Sequence, residues 1–161
     1  MTTKYQKIFG AGPRGLLVSS ILFGITYFFS KEFAFGEILE SSQMRLAIFI
    51  GSIAVTIGIV VWSLKSLPPK FRGECLVKEG AFAWFRHPLY GAFLSFFNFA
   101  LAIFLNDYIY IVWAILQHPV WHFNIRQEEK LMINKFGEEY LRYSEKVSRF
   151  FPIKYFIDFV N

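Results

Sequence analysis

The chain has 161 residues, of which 55% are hydrophobic, 20% aromatic and only 18% charged. A soluble domain of this size has no way to hide so much apolar surface, so an ordinary globular enzyme is excluded and a single-domain integral membrane protein spanning 1–161 is indicated. The net charge of +5 is spread through connecting segments, which excludes a nucleic-acid binder, and the single Cys75 excludes an intrachain disulfide.

Residues 1–14 form a short basic arm with Lys4, Lys7 and Arg14. The apolar run Leu16–Phe29 follows. A basic arm before an apolar run has the look of a signal peptide. No small-residue cleavage site is evident and further spans follow, so a retained signal-anchor is expected. Lys31–Arg45 is slightly acidic overall. Leu46–Leu64 carries no charge and is the clearest span; Gly51 and Gly58 are expected to let a neighbouring helix approach, and Trp62 to anchor an interface. Residues 1–64 therefore read as two N-terminal spans.

Residues 65–87 form a long polar connection. Pro68 and Pro69 must end the preceding helix. Ordered connections of about 20 residues are unusual unless functional. The connection ends in Arg86-His87-Pro88, a polar knot set against the apolar run Pro88–Leu105. Proline suits the first position of a helix, so Arg86 and His87 fall at a helix mouth that attracts a carboxylate or phosphate. The alternative is a basic anchor that only orients the helix. Asn106-Asp107 makes a tight turn with Asp107 as N-cap, and Tyr108–Trp121 is a fourth run, interrupted by Gln117-His118-Pro119. These two runs must form an antiparallel hairpin, each near the lower length limit for a crossing.

From Asn124 onward the composition turns polar. An amphipathic helix is expected with Glu128, Met132 and Phe136 on one face, broken near Gly137 and continued by Tyr140, Tyr143 and Val147. Phe150-Phe151-Pro152 ends it, and Tyr155–Val160 is a last apolar patch suited to a membrane surface. The fold class is all-α: a polytopic membrane protein with about four transmembrane helices and an amphipathic C-terminal helix. Basic residues mark the cytoplasmic side, which places both termini, the 65–87 connection and the Glu128-Glu129 helix there.

His118 and His122 are four apart, but Pro119 lies between them and no third ligand is near, so no metal is expected. Glu128 and Glu129 suit acid–base work or a cationic or hydroxylated ligand, or else merely start a solvated helix. No glycine-rich phosphate loop, dinucleotide fingerprint or Ser-His-Asp arrangement is present.

Two blocks carry a resemblance. One runs from Leu76 through Gly80, Phe82, Arg86, His87, Pro88 and Tyr90 to Gly91; the other begins at Glu128-Glu129 and continues through Tyr140, Tyr143, Val147, Phe150 and Pro152. In this order and separation they resemble the isoprenylcysteine carboxyl methyltransferase family, which belongs with the phospholipid methyltransferases. The likeness covers roughly residues 65–152, the catalytic half. It implies S-adenosyl-L-methionine as methyl donor, bound on the cytosolic side. Glu74, Cys75, Leu76, Val77 and Phe82 would lie along it, Arg86, His87, Pro88, Leu89 and Tyr90 around its methionine part, and Glu128 on its polar end. Aromatic faces such as Phe82, Trp84 or Tyr90 suit the cationic sulfonium.

Two positions depart from the family pattern. Phe82 stands where the family often has Tyr, and Asn124 where it typically has a substrate-binding arginine; the nearest arginine is Arg126. Asn124, Arg126 and Glu129 are thus the expected substrate contacts. No general base is assigned, since positioning and water exclusion suffice for methyl transfer from a sulfonium. The acceptor implied is a prenylated or other lipidic molecule entering from the bilayer. A phospholipid amine acceptor, a nicotinamide-dependent sterol-reductase-like enzyme and a non-catalytic membrane protein are the alternatives, separable by which cofactor binds.

Overall fold

The computed structural model describes residues 11–33, 35–68, 71 and 74–151. The basic residues Lys4 and Lys7, Pro152 and the Tyr155–Val160 patch lie outside the described residues. Seven helices are described: α1 (Gly12–Glu32), α2 (Ser42–Ser66), α3 (Ala81–Trp84), α4 (Pro88–Leu105), α5 (Tyr108–Asn124), α6 (Arg126–Phe136) and α7 (Glu138–Lys146). Among the described residues there is no strand. The protein is all-α and multi-pass. By length and composition α1, α2 and α4 can each cross a bilayer, and α5 is the shortest of the four long helices.

Local sequence explains the boundaries. Ser41 caps α2 by accepting from the Met44 N–H at 3.3 Å, and α2 ends just before Pro68. Asp107 caps α5 as expected, its Oδ1 accepting from the Ile109 N–H at 3.2 Å. Asn106, in the left-handed region at φ 60°, closes α4. Pro119 lies inside α5 without ending it.

α5 packs between α1 and α4, and α4 also packs on α2, giving the order α1–α5–α4–α2. The expected α4–α5 hairpin is thus the centre of the bundle. Ala102, Tyr110, Trp113 and Ala114 fill its core, with Phe23 of α1 edge-on to Trp113 at 5.2 Å. Gly51 and Gly58 do not mediate helix approach, because a Cβ at either would meet nothing within 4 Å. They face outward, and the close approaches fall at Gly15, under the Trp121 ring, and at Gly91.

Two devices fix the ends of the hairpin. At one end the Asn106 side chain accepts from the N–H groups of Ile38 and Leu39, at 3.1 and 2.9 Å, and donates to Glu37 at 3.2 Å. Ser30 of α1 donates to Asp107 at 2.7 Å. The α1–α2 connection is therefore clasped to the hairpin turn. Nearer the other end α4 widens into a π-turn over Phe93–Phe97, where the Asn98 N–H reaches back to the Phe93 carbonyl. Ser52 of α2 donates to the Phe96 carbonyl at 2.8 Å, and His118 of α5 is hydrogen-bonded to the Leu94 backbone. Such π-turns frequently sit at functional sites. Nothing in the apolar run 93–97 signals one.

Candidate active site

The polar knot sits where α1 begins, α2 ends, α4 begins and α5 ends. Gly80 turns the chain at φ 59°; a Cβ there would lie 2.3 Å from Ser66 Oγ, which accepts from the Ala81 N–H at 3.2 Å. After the single turn α3 the chain runs through buried Phe85. The N–H groups of Arg86 and His87 then donate to the carbonyls of Ser148 and Arg149, at 2.9 and 3.0 Å. These two backbone bonds join the knot to the segment after α7. Pro88 starts α4 as expected. One turn on, Gly91 lies against the Phe150 carbonyl, which would be 2.4 Å from an added Cβ.

The side chains converge on two carboxylates at the start of α6. Glu129 is buried, only 6% exposed. Arg149 grips it with both faces of its fork, Nη2 to Oε2 at 2.5 Å and Nε to Oε1 at 3.2 Å. Arg86 Nη1 is 3.3 Å and His87 Nε2 3.5 Å from Oε1. Burial pushes the Glu129 carboxyl upward, but its contacts with His87 and Arg149 and the Arg86 charge outweigh that and hold it at about 2. The adjacent Glu128 accepts from the Tyr90 hydroxyl at 3.0 Å and from the Ala11 N–H, with His87 Nδ1 3.6 Å from its other oxygen. His87 therefore bridges the two carboxylates. Behind them Tyr140 is buried, and that burial together with the Glu129 charge raises its hydroxyl to about 12.

A cavity of about 580 Å³ opens beside this cluster. Arg86, Arg149, His118 and His122 line it with Phe99 and Phe150, and the buried Ser95 hydroxyl has no hydrogen-bond partner among the described residues.

The structure brings Arg86, His87, Pro88, Tyr90, Glu128 and Glu129 together, with Leu89 half-buried beside them in the first turn of α4. Leu76 packs on the Tyr140, Tyr143 and Val147 cluster with Met132 and Phe136, so the expected stripe is half-buried on α6 and buried from Tyr140 on. Phe82 is held by its carbonyl, which accepts from the Tyr143 hydroxyl at 2.6 Å. Val77 is half-buried, while Glu74 and Cys75 are exposed in a turn bonded to the Phe71 carbonyl. Of the expected substrate contacts, only Glu129 reaches the cluster. Asn124 donates back to the Val120 carbonyl at 3.1 Å, and Arg126 is exposed over the Phe123 ring. Asn124 spends its amide on its own helix, and Arg126 starts α6 directly after Ile125, on the outward side. Arg149, Ser95 and His122 were not expected at the site. Arg149 lies past α7, and only the likeness around Phe150 hinted that this segment returns.

A family model described as the isoprenylcysteine carboxyl methyltransferase family matches residues 46–134, more than half of the chain, from α2 into α6. The chain belongs to the isoprenylcysteine carboxyl methyltransferase family. Curated relatives named protein-S-isoprenylcysteine O-methyltransferase agree. The Saccharomyces cerevisiae protein is 36% identical over 75 residues, 45% of this chain and 30% of the relative. The mouse protein is 34% identical over 121 residues, 73% of this chain and 38% of the relative. The human protein is 34% identical over 80 residues, 48% of this chain and 27% of the relative. The matched stretch thus takes up roughly a third of each relative, and the chain carries the family's matched core with Arg86–Tyr90 and Glu128-Glu129 inside it.

Proposed function

We propose that the protein is an S-adenosylmethionine-dependent methyltransferase that esterifies the carboxylate of an isoprenylcysteine-type acceptor in the membrane. The observation that carries this reading is the meeting of Arg86, His87 and Tyr90 with Glu128 and Glu129, which are far apart in sequence and both inside the family match. Family membership supplies the reaction class, and the names of the relatives supply the acceptor.

The residues fit the donor. Arg86 Nε and His87 Nε2 are buried without a hydrogen-bond partner among the described residues, which suits the carboxylate of an amino-acid cofactor, and Glu128 suits its amine or ribose hydroxyls. Glu74, Cys75, Leu76, Val77 and Phe82 would border it on the loop side, and Pro88, Leu89 and Tyr90 on the helix side. S-adenosylmethionine, when bound, supplies a methyl group on a cationic sulfonium. The chain's own part is to orient and to exclude water. An acceptor carboxylate is already a nucleophile, so no side chain need take a proton from it. The assignment of no general base follows from that chemistry.

The site and both termini are assigned to the cytoplasm. Lys65, Lys78 and Lys130 flank the knot end of the bundle and outnumber Lys31 and Arg45 at the clasped end, which also carries Glu37, Glu40 and Asp107. The test is calorimetric binding of S-adenosylhomocysteine to the detergent-purified protein. His87→Ala and Glu128→Ala should each weaken binding by about tenfold or more. No binding by the folded wild type would overturn the reading.

A further inference from the structure

The cavity beside the knot has a chemistry of its own. None of its lining residues is acidic, while two are arginines. Its polar end presents hydrogen-bond donors. Arg149 Nη1 lies 3.0 Å from His122 Nδ1, and a guanidinium has no acceptor, so Nδ1 accepts and the ring hydrogen is on Nε2. His122 is therefore a neutral donor on its free side. Ser95 Oγ is buried with no hydrogen-bond partner among the described residues. At the centre the two guanidiniums share the carboxylate of Glu129, and neither Glu128 nor Glu129 is among the cavity's lining residues. That donor-rich surface, with no acidic side chain in its lining, calls for an anion with acceptor atoms only.

The other end is apolar. Phe99 lies about 16 Å along α4 from Pro88 at 1.5 Å per residue, so the cavity runs from the knot into the hairpin. The π-turn between them bears Ser95. The match to the family ends at residue 134, before the segment that supplies Arg149 and Phe150.

We propose that this cavity receives the acceptor and that Arg149 is the residue that selects its carboxylate, in place of the cation that Asn124 and Arg126 do not bring to the site. The apolar chain of the acceptor lies toward Phe99, between α4 and α5. The reaction name rests on the methyltransferase reading above; the binding preference does not.

The experiment compares N-acetyl-S-farnesylcysteine, its methyl ester and farnesyl phosphate as competitors for a tritiated sample of the acid on the detergent-purified protein. The acid should bind at least about tenfold more tightly than the neutral ester and no less tightly than the phosphate. Arg149→Gln should weaken the acid by about thirtyfold, to the level of the ester, and leave the ester little changed. Arg149→Lys should restore part of the difference, because it keeps the charge and loses the fork. In methyl transfer, Arg149→Gln should act on the KM for the acceptor more than on kcat. A merely structural role would weaken acid, ester and S-adenosylhomocysteine alike. Equal wild-type affinity for acid and ester overturns the proposal, as does an acid preference that survives Arg149→Gln or a preference for the phosphate. If that variant does not fold, Ser95→Leu, which fills the cavity beyond the ion cluster, must weaken the acid instead, and wild-type affinity there overturns the proposal. Selective acid binding without S-adenosylhomocysteine binding sinks the methyltransferase reading alone. S-adenosylhomocysteine binding without acid selectivity sinks the pocket alone.

Discussion

Replacing Glu129 by Gln removes the negative charge that Arg149, Arg86 and His87 surround. The Glu129 carboxyl is held at about 2 against an ordinary 4.5. At about 1.4 kcal/mol per unit, that difference is on the order of 3 kcal/mol of stability. The folded-state value is depressed, so the unfolded chain binds more protons between the two values and stability rises with pH. The contribution is complete above about 4.5 and is lost as pH falls toward about 2. The amide keeps the shape but leaves two guanidiniums facing a neutral group. Removing one partner of a buried pair costs about 3–5 kcal/mol. Arg149 is 30% exposed, which brings the expected cost to the lower end, about 3 kcal/mol. For a chain of this length that is roughly 10 °C in Tm at pH 7. The assay is thermal unfolding in mild detergent followed by circular dichroism over a pH series. A thiol dye is unsuitable because Cys75 is exposed in the folded protein. Below pH 4.5 the wild-type curve should fall toward that of Glu129→Gln. A variant that unfolds within about 2 °C of wild type at pH 7, or whose acid dependence parallels it, would mean that the ion cluster does not stabilise the fold.

Further substitutions probe other parts. Gly91→Ala places a Cβ 2.4 Å from the Phe150 carbonyl, a backbone atom with no easy escape, so it should weaken S-adenosylhomocysteine binding by about tenfold or more; calorimetry checks this. Asn106→Gly keeps the left-handed turn but loses the bonds to Ile38 and Leu39, at a cost of about 1–2 kcal/mol, and Asn106→Ala adds about 1 kcal/mol of backbone strain. Both should lower Tm while leaving cofactor affinity alone, because the clasp is at the far end of the bundle. Tyr143→Phe removes the bond to the Phe82 carbonyl, costs about 1 kcal/mol, and should speed amide exchange in the 76–82 connection.

Elements with a strong local signal were legible in the sequence. The uncharged run 46–64 became α2, Asp107 caps α5, Pro88 opens α4, and Gly137 at φ 53° separates α6 from α7. The two halves of the knot were legible only as a pair of blocks with a family likeness, since neither composition nor periodicity says that residue 87 meets residue 128. Three features were not legible in the sequence. The π-turn depends on Ser52 and His118 from neighbouring helices, not on Phe93–Phe97 themselves. Gly51 and Gly58 looked like packing residues because small residues favour helix contact, but α2 meets α4 through its Ser52 side. Arg149 follows α7 in an irregular segment, and its role comes from two backbone bonds to Arg86 and His87 that no spacing rule anticipates.

Those two bonds make the segment after α7 part of the site. Arg86 and His87 have no acceptor within their own element, because the backbone there is extended or irregular and Pro88 has just begun the helix. Ser148 and Arg149 supply the acceptors, Arg149 also supplies a grip on Glu129, and Phe150 walls the cavity and covers Gly91. A chain cut after Val147 loses all of this at once. Two orphaned N–H groups at about 1 kcal/mol each and a broken ion pair amount to several kcal/mol, concentrated at one end of the bundle. The far end keeps its Asn106 clasp and the α1–α5–α4 core, so the helices should still assemble and the helical circular dichroism should change little. Binding of S-adenosylhomocysteine should be lost. A truncated protein that binds it with wild-type affinity would mean that Arg86 and His87 are fixed by α4 and α6 alone, and that the pairing with Ser148 and Arg149 does not organise the site.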